Sequence, residues 1–101
     1  MKLIDLNPEF RNWEVAPEAV TPENCKGLEH DCPECARNGK PRHRVWVPLH
    51  DKSGHTWAKA DDCSKVETFG YRPSVRMIDG ICKGHWNLES GQIVFHGDSA
   101  P

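Results

Sequence analysis

The chain has 101 residues, a net charge of −2 and 37% apolar side chains, with a mean hydropathy of −0.71. That length predicts a single small domain, and that composition excludes a large apolar core, so burial alone leaves little margin over chain entropy. The charge is unevenly spread: residues 1–34 hold Lys2, Arg11 and Lys26 against eight acidic side chains, a net of −5, whereas residues 35–101 carry a net of +3.

In chain order, residues 1–24 read as an N-terminal arm. The alternation of Leu3, Ile4 and Leu6 suggests a short edge strand, and prolines at 8, 17 and 22 then prevent a long helix. Residues 25–98 read as a β domain. Leu28 to Cys32 leads into Cys32-Pro33-Glu34-Cys35, and the basic run from Arg37 through Lys40 and Arg42 to Arg44 follows directly. Residues 43–49 alternate, with Val45, Val47 and Leu49 on one face and Arg44 and Trp46 on the other. Further strand-sized pieces span 56–60, 65–71 and 74–78. The last is a hairpin, 81–88 and 93–96, turning at Glu89-Ser90-Gly91-Gln92. Gly97 to Pro101 reads as a frayed tail. The expected fold is small and mainly β, with little helix: antiparallel sheets of the zinc-ribbon-like or β-tent-like kind, carrying two zinc knuckles.

The knuckles are Cys32-Pro33-Glu34-Cys35 and Cys82-Lys83-Gly84-His85, separated by 46 residues. A ligand-x-x-ligand turn places two donors on one side of a tight loop, and two such loops supply the tetrahedral shell that zinc prefers. Cys32, Cys35, Cys82 and His85 are therefore the expected ligands of a structural Zn2+, with Glu34 facing solvent. Four protein ligands leave no open position, so the expectation is a non-enzymatic module. A Rieske iron–sulfur centre fits poorly because the Cys-x-His pattern is missing. A zinc deaminase fits at Cys32-Pro33-Glu34, but the later Pro-Cys-x-x-Cys is missing. The x-x spacing, an odd count of five cysteines and the lack of an export signal predict reduced thiols in a cytoplasm. Cys25 and Cys63 read as small apolar residues, and the remaining histidines form no second cluster in the sequence.

A module of this kind works through its surface, and a protein partner is the leading expectation. Trp46, Trp57 and Trp86 offer an alternative, a cage for a small cyclic or cationic ligand. A second alternative is nucleic-acid binding through Arg37, Lys40, Arg42 and Arg44.

Trp57, Glu67-Thr68, Arg72-Pro73-Ser74-Val75, Cys82-x-x-His85-Trp86 and Gly91-Gln92-Ile93-Val94 follow one another in an order that resembles a family of short bacterial and bacteriophage proteins of unknown function. Some of its members carry an "ammonia monooxygenase" label that no catalytic motif supports. The resemblance covers residues 28–96 and departs at Phe69-Gly70-Tyr71 and Asn87-Leu88. It implies a small cytoplasmic metal-binding protein, phage-borne in some hosts. The paired knuckles are also similar to those of methionine sulfoxide reductase B, a tent-like β fold, but the catalytic cysteine near its C-terminus has no counterpart here.

Overall fold

Alternation of apolar and polar side chains builds the first sheet. The computed structural model describes residues 1–21, 23–49, 65–77 and 82–101, and the backbone of 58–59. In β3 (Arg44–Pro48), Val45 and Val47 are buried while Arg44 and Trp46 face outward, the period of two expected of a half-buried strand. β2 (Gly27–Asp31) lies between β1 (Glu9–Arg11) and β3, antiparallel to both, with Leu28 opposite Val47 and His30 opposite Val45. A one-turn helix, α1 (Pro33–Arg37), connects β2 to β3, with Pro33 at its first position, where no backbone donor is needed.

The second sheet has the order β4 (Ala58–Lys59), β5 (Tyr71–Arg76), β6 (His85–Glu89), β7 (Gln92–Phe95), all antiparallel. β6 and β7 join through the two residues Ser90 (φ 47°) and Gly91 (φ 73°), the paired left-handed backbone of a type I′ hairpin turn. Glycine is required at 91 twice over. A Cβ there would lie 2.1 Å from the carbonyl oxygen of Glu67, and φ is positive.

The inner faces of the two sheets enclose Leu28, Val45, Val47, Phe69, Tyr71, Val75, Trp86, Leu88 and Ile93. A polar chain crosses this core. Trp86 Nε1 donates to the Tyr71 hydroxyl (2.8 Å), which donates to His30 Nε2 (3.1 Å), and His30 Nδ1 donates to the carbonyl of Asp31 (2.7 Å). Burial lowers the His30 pKa to about 4, so the ring is neutral, and among the described residues every buried side-chain nitrogen and oxygen has a hydrogen-bond partner.

The expectation of a small, mainly β protein holds, while several local expectations do not. Leu3–Leu6 is a 3₁₀ turn rather than a strand. Three residues per turn put Leu3 and Leu6 on one buried side and leave Ile4 exposed. The segment read as an arm thus supplies core residues and β1, and its start is tied to the last hairpin by Leu3 N to Gly91 O (2.9 Å) and Ile93 N to Met1 O (2.8 Å). The tail is not frayed: Ala100 forms a two-bond bridge with Lys83 (2.9 and 3.0 Å). No helix among the described residues is long and apolar enough to cross a membrane.

Candidate metal centre

The ends of both sheets converge on a cluster of sulfur and imidazole. Cys32 follows β2, Cys35 lies in α1, His43 precedes β3 and Cys82 precedes β6, and their ligand atoms all lie within 4.8 Å of one another. Cys32 Sγ and Cys82 Sγ are 3.7 Å apart, and Cys82 Sγ and His43 Nε2 are 3.8 Å apart. Zinc–sulfur bonds of about 2.3 Å at tetrahedral angles separate neighbouring ligands by about 3.8 Å. The spacing is far from the roughly 2.05 Å of a disulfide, and Cys32, Cys35 and Cys82 are free thiols. Three sulfurs and one imidazole nitrogen therefore fit a tetrahedral metal ion.

Burial pushes the Cys32 thiol up to about 12, against a hydrogen bond from the Cys35 backbone, and the nearby Cys82 raises it further. Burial likewise raises Cys35. A cation bound at this cluster would displace protons from such thiols.

The fourth ligand position corrects the sequence reading. His43, not His85, joins the three cysteines. Residues 32–37 fold back as a true knuckle, with Ala36 N bonded to Cys32 O (3.0 Å). The β2–β3 ladder then continues one step past Asp31 opposite Arg44, and Cys32 N bonds to His43 O (2.9 Å). Hairpin closure thus returns His43 to the side of Cys32. Residues 82–84 are not a knuckle but extended backbone, with Lys83 paired to Ala100 and Gly84 O accepting from Met77 N (2.8 Å). Residues three apart in extended chain lie about 10 Å apart on opposite faces. His85 therefore points away, into a second group with His96 and Asp98. A sequence signal for His43 did exist: it stands at the start of the returning strand, just past the knuckle.

Glu34 is a second correction. It is fully buried rather than solvent-facing. Its carboxylate accepts a two-pronged pair from Arg37 (2.6 and 2.7 Å) and further bonds from Asn38 and Ser99. Burial opposes its ionisation, but these donors outweigh burial and hold the carboxyl below its usual range. Glu34 thereby fastens the knuckle to the C-terminal segment.

The remaining candidates separate. Trp86 is fully buried in the core and cannot line a surface cage. Trp46 is 39% exposed and packs edge-on against Trp13, with ring centroids 5.6 Å apart. Trp57, Cys63, His50 and His55 lie outside the described residues. Cys25 is buried, its thiol donating to Gly27 O (3.4 Å). In the basic run, Arg37 pairs with Glu34, Arg42 with Asp31 (3.2 Å), and Arg44 with Glu9, Glu29 and Asp31 (3.0–3.2 Å), while Lys40 is exposed. Three of the four basic side chains of this stretch are thus paired with carboxylates of the first third of the chain.

A cavity of about 400 Å³ that no sequence motif marks opens on the outer face of the first sheet, lined by Trp13, Val15, Val20 and Trp46 with Arg11 and Glu29. Gly27 makes room for it: a Cβ there would meet the Trp46 ring at 2.1 Å, so only glycine lets that ring lie across the strand. In comparisons with protein-family models, curated proteins and solved structures, nothing matches this chain.

Proposed function

We propose that Cys32, Cys35, His43 and Cys82 hold a zinc ion as a structural fastening, and that the domain it stabilises serves a protein partner. The observation that carries this reading is the origin of the four donors. Three come from the β2–β3 hairpin and its connecting helix, and the fourth comes from the segment that leads into β6 of the other sheet. A metal there closes the two sheets onto each other, as in tent-like β folds. Structural zinc contributes about 10–16 kcal/mol to folding in small domains, which suits a chain with so few apolar residues. Four protein ligands complete the shell and leave no position for water or substrate, so the metal itself does no chemistry.

A protein partner is favoured over nucleic acid because Arg37, Arg42 and Arg44 are engaged by carboxylates of the chain itself. It is favoured over a tryptophan cage because Trp86 is buried. The exposed pair Trp13 (69%) and Trp46, beside the outer cavity, offers the large apolar contacts on which protein interfaces rely.

Metal analysis of the purified protein, followed by chelation, tests the fastening. One zinc per chain and cooperative loss of near-UV circular dichroism on chelation are expected. Full retention of tertiary structure without metal would contradict the reading. For the partner, Trp13→Ala and Trp46→Ala should abolish capture of a host protein by the tagged chain while leaving zinc content unchanged.

A further inference from the structure

We propose that Ser74, His85 and Asp98 form a hydrolytic centre for carboxylic esters, on the second sheet and independent of the metal. Ser74 lies in β5, His85 opens β6, and Asp98 lies in the C-terminal turn. Ser74 Oγ is 3.0 Å from His85 Nε2, and His85 Nδ1 is 2.7 Å from Asp98 Oδ1. The carboxylate accepts from Nδ1–H, which fixes the tautomer and leaves the Nε2 lone pair facing the serine hydroxyl. This is the nucleophile, base and orienting acid in the order that acyl transfer needs.

The surroundings support each member. The β5–β6 ladder shifts register between Tyr71 and Val75, an irregularity of the kind found beside active sites, and it spans Ser74. The His85 ring is stacked on His96, with centroids 3.8 Å apart and planes within 10°, and His96 is in turn bonded to Asn87. The His85 backbone N–H donates to Ser99 Oγ (2.9 Å). The hydrogen bond from His85, and after it Arg76 on the other oxygen, hold the Asp98 carboxyl below its usual range. Ser74 and His85 are half-buried and the Asp98 side chain is 51% exposed, so the group stands at the surface, within reach of a small ester.

A cation site is the competing use of His85, His96 and Asp98. The stacking opposes it: imidazole lone pairs lie in the ring plane, and an ion in one of two parallel planes is out of the other. Asp98 is also already paired with Arg76.

In the reaction, Ser74 Oγ bonds to the ester carbonyl carbon as its proton passes to His85 Nε2. The tetrahedral adduct collapses, the carbon–alkoxy bond breaks, and the alcohol leaves with the proton from Nε2. Water then attacks the acyl-serine, gives a proton to Nε2, and the carboxylic acid departs as Ser74 recovers its hydrogen. The sum is ester plus water to acid plus alcohol.

The test treats the metal-loaded protein with a fluorophosphonate probe, locates the adduct by peptide mass spectrometry, and follows p-nitrophenyl acetate hydrolysis. Labelling at Ser74 is expected, absent in Ser74→Ala and at least about tenfold slower in His85→Gln, with hydrolysis falling in parallel. No labelling above that of denatured protein, or labelling unchanged in Ser74→Ala, overturns the proposal and leaves the three residues as a strut for the C-terminal segment. Zinc content and near-UV circular dichroism, measured on the same samples, separate this outcome from failure of the fastening.

Discussion

His43 and His85 are chemically equal, and the backbone between each and its nearest ligand decides their fates. The three cysteines were legible because thiols at x-x spacing in a polar chain have few other uses. The histidine was misassigned because spacing alone does not say whether two intervening residues turn or extend. Glu34 was misread for a related reason: the donors that make its burial tolerable, Arg37 and Ser99, include one 65 positions away. Within the core, Tyr71 serves both Trp86 Nε1 and His30 Nε2. Tyr71→Phe removes one hydroxyl and strands two buried polar atoms. It should cost about 1–3 kcal/mol in urea denaturation of the metal-bound protein; a change within error would mean that the network adds nothing to stability.

At the scale of elements, strands with strict alternation were read correctly, and β3 and the β6–β7 hairpin stand close to where the pattern put them. Leu3-Ile4-Asp5-Leu6 was ambiguous because a four-residue segment fits a period of two or of three. The Lys83–Ala100 bridge had no local signal at all, since the pairing partner lies at the far end of the hairpin. The I′ turn gives a direct check. Gly91→Ala introduces both a left-handed backbone penalty and a collision with the Glu67 carbonyl, whereas Ser90→Gly relieves a positive φ. The first should destabilise by about 1–3 kcal/mol, and the second should be neutral or stabilising. Equal effects from the two would contradict the turn assignment.

At the scale of the molecule, two sheets share one core and are gathered at one end by the sulfur cluster. That division separates the work. The cysteine–histidine end is where the proposed metal would supply folding energy, the outer face of the first sheet carries the exposed tryptophans, and the second sheet carries the Ser74–His85–Asp98 chain. Once His85 leaves the shell, it becomes available for chemistry that a metal ligand could not perform. The metal affinities of His43→Ala and His85→Ala, titrated side by side with cobalt or zinc, test the central assignment most directly. The account predicts affinity in His85→Ala equal to that of the unaltered chain, and at least about a 100-fold loss in His43→Ala. Retained affinity in His43→Ala with loss in His85→Ala would contradict it.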